Sequence, residues 1–353
     1  MKELNAELFA WLAEHVSEEN RERVRSSDSG GWRAIKTTDE EKKRLKRLRL
    51  LPVVEVVSGY KGGTLTDGTT SFHFVPRGAE SLSEDIPFRR HSVDAGFLTF
   101  LGGRRCLTLS SAYSGDGGLQ LVEDIFGVGG LVDMEVVEPA VAEFDIFEPT
   151  EPLAVDQPDA VKASLFLCLS LVGLDSCYAP FQMLRFTDAT RAELRKLLLL
   201  DSNGALGRSV FLGLSSAHWE HAFLRLYHCV EAFFVTNRVS RLVCCLNESH
   251  GAQLDLTVEL EETVRNALSW RPSEANALQE VVARAFKKMP TAGTLIREAL
   301  GVESKAEAST VAGKLYDVRN AIAHGRREEP ADVEWDDLIR GLAIISSVLV
   351  GGG

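Results

Sequence analysis

The chain changes character most sharply across Glu148-Pro149-Thr150-Glu151-Pro152 and Gln157-Pro158, and this change limits what it can fold into. Before it, two helical patterns are followed from Pro52 by short runs of β-formers that alternate with glycines. After it, apolar residues recur at helical spacing to the end of the chain. Proline lacks an amide donor and holds the preceding residue extended, so neither a helix nor a central strand runs easily through this stretch. At 353 residues, two domains are the natural division. The pattern predicts an α+β chain, with an N-terminal mixed, β-rich domain of unknown role over 1–155 and a C-terminal all-α bundle over 156–353, its core about 205–353.

Within the first part, Leu4, Leu8, Phe9, Leu12 and Val16 predict a helix inside 3–24, with a loop at 26–31. Thr38 is placed to cap a second helix over 38–48. Val53, Val54, Val56 and Val57 read as strand, and Asp67-Gly68 between runs holding Thr66, Phe72 and Phe74 is a hairpin signal. Gly102-Gly103, Gly115, Gly117-Gly118, Gly127 and Gly129-Gly130 read as turns between short strands up to Phe147. They make no phosphate loop, because neither G-x4-G-K-[ST] nor a strand–GxGxxG–helix arrangement occurs. In the second part, helices are expected over 160–174, 187–200, 216–243, 256–268, 275–288, 294–300, 306–323 and 332–350. The longest has the stripe Trp219, Ala222, Phe223, Leu226, Tyr227, Val230, Phe233 and Phe234.

Composition excludes several classes. Cys106, Cys168, Cys177, Cys229, Cys244 and Cys245 show no C-x2-C spacing, so no structural zinc is expected. Cys168 and Cys229 sit in apolar runs, where a thiol behaves as a small hydrophobe. The apolar run 163–174 is too short to span a bilayer, and the N-terminus lacks a basic-then-apolar pattern, so a cytoplasmic location without membrane contact is expected. The formal net charge of −12 argues against a broad grip on nucleic acid, which draws affinity from many Lys/Arg–phosphate contacts. A site that acts on a single phosphate needs only local positive charge. The basic run Lys42, Lys43, Arg44, Lys46, Arg47 and Arg49 reads as a solvated helix face.

The stretch 315–325 gathers unusual chemistry on one helix. Val311, Leu315, Val318 and Ile322 form its apolar stripe. At about 100° per residue, Asn320 and His324 lie one turn apart on the opposite side, with Arg319 between the two faces. Guanidinium is a permanent, bidentate cation suited to a phosphate that gains charge in a transition state. Imidazole titrates near neutrality and can move a proton. A substrate that brings its own nucleophile would need no metal or other cofactor at this set. The structural alternative is an Arg319 that braces a neighbouring helix and a His324 favoured by the helix C-terminus ahead of Gly325.

Arg319-Asn320, three residues and His324, after Leu315-Tyr316-Asp317-Val318 and before Gly325, resembles the R-x4-H motif of HEPN domains. The resemblance covers the C-terminal part alone. It implies a small helical bundle of the kind found in prokaryotic toxins, phage-defence proteins and RNA-processing factors. Many members are metal-independent endoribonucleases in which Arg and His of two protomers meet at a dimer interface. On this basis Arg319, His324 and Asn320 are expected to be catalytic, with RNA as substrate, a homodimer through the motif helix, and a regulatory protein or phage trigger as a further partner. Asn320 would orient the imidazole or bond a phosphate oxygen. Glu231, in Tyr227-His228-Cys229-Val230-Glu231, resembles the acidic residue that many HEPN domains carry in an earlier helix facing the motif. It would aim Arg319. Tyr316 is a supporting residue that either contacts a base or packs, and Arg326 and Arg327 are candidate RNA contacts. The alternative from another class is a non-catalytic RNA- or protein-binding module in which the same motif stabilises a dimer. Geometry separates the two: catalysis requires His324 to be solvent-accessible within a cleft, whereas a structural role would bury it with both ring nitrogens bonded.

Overall fold

A computed structural model describes residues 1–16, 24, 32–57, 60–77, 86–114, 119–127, 129–175, 183–201, 204, 206–250, 274–325 and 333–351. The expected helix at 256–268 and the loop at 26–31 lie outside them. The chain is mixed α/β and divides into two compact units, Met1–Phe181 and Gln182–Gly353. The described strands all lie in the first unit. Among the described residues no helix is long and apolar enough to cross a membrane.

In the first unit, helix α1 (Lys2–Glu14) is followed by β1 (Arg33–Ile35), α2 (Asp39–Arg47), β2 (Arg49–Val57), β3 (Tyr60–Thr66), β4 (Ser71–Pro76) and β5 (Phe88–His91). Next come α3 (Ala95–Gly103), α4 (Leu119–Phe126), β6 (Gly130–Val132), β7 (Phe144–Pro149) and α5 (Pro158–Asp175). An antiparallel sheet has the order β2-β3-β4-β7-β5, while β1 and β6 form a separate parallel pair. Thr38 starts α2 with a full capping box, accepting from the Glu41 amide while Glu41 accepts from the Thr38 amide. The hairpin at Asp67-Gly68 is present. Asp67 Oδ1 accepts from the amides of Thr69 and Thr70, and Gly68 has φ 92°, a conformation open to glycine at no steric cost. The basic run is partly engaged, with Arg44 paired to Asp94 and lying 4.1 Å from the Phe97 ring centroid.

Two stretches read as strand and turn are helical instead, α3 and α4. Gly102 and Gly103 are small for packing, not for turning. A Cβ at Gly102 would meet the Leu8 side chain at 2.4 Å, and one at Gly103 the Leu4 carbonyl oxygen at 2.5 Å. They let α3 press on α1, and Leu8, Leu12, Phe97 and Leu101 close the core between them. Helix α5, which follows the proline-rich stretch, packs on β3 and β4. It is pinned by His73, fully buried in β4, whose Nε2 lies 2.8 Å from Ser164 Oγ and whose Nδ1 lies 2.8 Å from Thr64 Oγ1.

The described part of the second unit is helical: α6 (Asp188–Leu200), α7 (Gly207–Leu214), α8 (Trp219–Glu231), α9 (Phe233–His250), α10 (Glu274–Lys288), α11 (Pro290–Ala299), α12 (Ala308–Ala323) and α13 (Trp335–Val350). Thr187 caps α6 and, with Thr190, donates to the Asp336 carboxylate at 2.6 and 2.8 Å, which ties α6 to the start of α13. The helix expected over 216–243 is two helices broken at Ala232. The break was hidden because the buried positions Val230 and Phe234 keep helical spacing across it. It matters because Glu231 thereby ends α8 beside α12.

Candidate active site

Helix α12 buries Val311, Ala312, Leu315 and Val318, as its stripe requires. Tyr316, Arg319, Asn320 and Ile322 are half-buried at the edge of that face. The helix ends at His324, whose amide bonds the Asn320 carbonyl at 3.0 Å, and Gly325 follows with φ 58°. A left-handed residue just past the helix is the usual role of glycine, since a Cβ there costs about 1–2 kcal/mol.

Arg319 is held from three sides. Its Nη1 donates to Asn320 Oδ1 at 3.0 Å, its Nε lies 3.1 Å from Glu274 Oε1, and its Nη2 lies 3.6 Å from Glu231 Oε1. The 3.6 Å contact is an ion pair, slightly long for a hydrogen bond. The other Glu231 oxygen, Oε2, bonds His228 Nδ1. Tyr227 is buried behind the cluster. Burial first, then the charges of Glu274 and Glu231, push its hydroxyl above the ordinary tyrosine range.

The two carboxylates titrate as a pair. Burial works against ionisation of Glu231. Its bond to His228 and the His228 charge outweigh that, with help from Glu274 and Arg319, and hold it below the ordinary glutamate range. Burial raises Glu274, Arg319 opposes it, and the charge and hydrogen bond of Glu231 carry it above that range. As the pH falls, Glu274 is therefore the one of the two that takes up a proton first.

His324 is exposed, and its ring makes no hydrogen bond or ion pair among the described residues. The ring is accessible and not buried with both nitrogens bonded, and none of the cavities described among these residues is lined by it. Arg319 turns towards Glu231, Glu274 and Asn320, and among the described residues no bond joins it to His324. The structure thus brings together Arg319, Asn320 and Glu231, with Tyr316 one turn earlier on α12. It leaves His324 one turn beyond, at the open end. Arg326 and Arg327 lie outside the described residues.

Sequence reasoning missed Glu274 and the role of His228. A lone acidic residue opening a helix looks like ordinary helix-start chemistry, so nothing in the sequence singled out Glu274. His228 had a signal: it precedes Glu231 by three residues, the spacing at which helical side chains meet. Comparison with known proteins gives no match, whether with family models, curated proteins or solved structures.

Proposed function

We propose that the second unit is a HEPN-like bundle acting as a metal-independent endoribonuclease. In this reading a phosphate of RNA binds beside Arg319, the adjacent 2′-hydroxyl attacks it, and the 5′-oxygen leaves. The observation that supports the proposal is that one helix carries both an exposed imidazole at His324, with no bond among the described residues, and a guanidinium at Arg319 that two carboxylates hold in one orientation. A guanidinium has five N–H donors, so the contacts to Asn320, Glu231 and Glu274 leave donors for a phosphate oxygen. Asn320 is the third member, fixing Arg319 Nη1 from the same helix. The exposed side of α12 is also where a second copy would dock in the arrangement that the family resemblance implies. Growth arrest, phage defence and RNA processing are the settings that the same resemblance suggests.

Purified protein incubated with RNA in excess EDTA tests the proposal, with wild type beside Arg319→Ala and His324→Ala. Cleavage should persist in chelator and fall by about 10²-fold or more in each variant. Cleavage that stops in EDTA, or that survives both substitutions, places the chemistry elsewhere. RNA bound tightly and left intact by wild type favours the non-catalytic module.

A further inference from the structure

In-line cleavage of RNA uses one group to take the proton from the 2′-hydroxyl and another to give one to the departing 5′-oxygen. His324 is one such group. The resemblance would draw a second from another copy of the chain. The structure holds a candidate within one chain.

His228 lies on α8, with its side chain 48% exposed, and its Nδ1 bonds Glu231 Oε2. The other oxygen of that same carboxylate faces Arg319 Nη2 at 3.6 Å. One carboxylate therefore positions an imidazole and a guanidinium next to each other, from two different helices. Because the carboxylate accepts at Nδ1, the hydrogen resides there, the ring orientation is fixed, and Nε2 is the nitrogen left to exchange protons with a ligand. The same logic orients the histidine in a nucleophile–histidine–carboxylate triad. Among the described residues no further hydrogen bond engages the ring. An ordinary surface pair three residues apart on a helix would not also share its carboxylate with the arginine of the candidate site.

We propose that His228 is a catalytic residue, the general acid that protonates the leaving 5′-oxygen, while His324 serves as the base; this rests on the ribonuclease reading above. In the step, the 2′-oxygen–phosphorus bond forms as His324 accepts the 2′-hydroxyl proton. The phosphorus–5′-oxygen bond breaks as His228 Nε2 delivers its proton to that oxygen. The products are a 2′,3′-cyclic phosphate and a free 5′-hydroxyl. Exchange with solvent water then takes the extra proton from His324 and returns one to His228, which restores both imidazoles.

The test compares wild type and His228→Gln on two substrates, an RNA oligonucleotide and its analogue with sulfur in place of the bridging 5′-oxygen at the cleaved position. A thiolate leaves without being protonated, so the analogue removes the need for an acid. His228→Gln should cut the natural RNA about 10²-fold more slowly or worse, and should regain most of the wild-type rate on the analogue. A variant that cuts natural RNA at the wild-type rate overturns the proposal, as does a loss of equal size on both substrates in a variant whose circular dichroism and thermal unfolding match wild type. If wild type cuts neither substrate, the ribonuclease reading itself fails and this proposal falls with it. Wild-type cleavage with an unaffected variant rejects the role of His228 alone.

Discussion

At the scale of single residues, the chain places ionisable groups where burial decides their state. His73 shows this away from the candidate site. Burial in the sheet lowers its pKa from 6.5 to about 3, with the ring bonded to the hydroxyls of Thr64 and Ser164 and flanked by Phe88. An unfolded chain takes up that proton near pH 6.5, and the folded chain does not until about pH 3. The stability is therefore complete above the unfolded value and falls as the pH drops below it, by about 1.4 kcal/mol per pH unit at most. Urea unfolding at pH 7 and pH 4 should show this loss, and His73→Gln should show a clearly smaller one. Equal losses in the two proteins would contradict the assignment. At the site, Glu231→Gln keeps the shape and removes the charge that faces Arg319 and His228. The pair is partly solvated, so the stability change should stay within about 1 kcal/mol. RNA cleavage should nonetheless fall by about tenfold or more, because the carboxylate aims rather than supports. Unaltered cleavage would show that Glu274 and Asn320 orient the guanidinium without it.

At the scale of elements, stripes and caps were legible and close approaches were not. The stripe Val311, Leu315 and Val318 placed α12, and Thr38 with Glu41 placed the start of α2, because both signals are written in neighbouring residues. Gly102 and Gly103 misled because a glycine that admits another helix looks like a glycine that turns the chain. The site divides the same way. Arg319, Asn320 and Glu231 were found through local pattern and resemblance, whereas Glu274 depends on how α10 packs beside α12, which no local pattern records. Gly213 is a second close approach and carries a prediction. A Cβ there would lie 2.3 Å from Leu226 Cδ2, where α7 crosses α8. Gly213→Ala should destabilise the unit by about 1–3 kcal/mol in thermal or urea unfolding, and should disturb α8, the helix that carries His228 and Glu231. A variant as stable as wild type would mean that Leu226 has room to move aside.

At the scale of the whole molecule, a net charge of −12 means that the proposed action on RNA would rely on a local site and not on long-range attraction. Binding should therefore depend only shallowly on salt, compared with a basic protein making many phosphate contacts. The concentration dependence of activity is equally informative. With His228 and His324 both supplied by one chain, the rate per chain should stay constant on dilution through the range where light scattering reports loss of any dimer. A rate per chain that collapses with the dimer would return the second proton-transfer group to a partner copy. The central claim is that the 2′-hydroxyl of RNA is the nucleophile at a site built around Arg319 and His324. An oligoribonucleotide cut at a mapped position, remade with a single 2′-deoxy sugar on the 5′ side of that position, tests it most directly in the presence of EDTA. Cleavage there should vanish, while neighbouring ribose positions continue to give 2′,3′-cyclic phosphate ends. Undiminished cleavage at the deoxy position, leaving a 3′-hydroxyl or a linear phosphate, would contradict it.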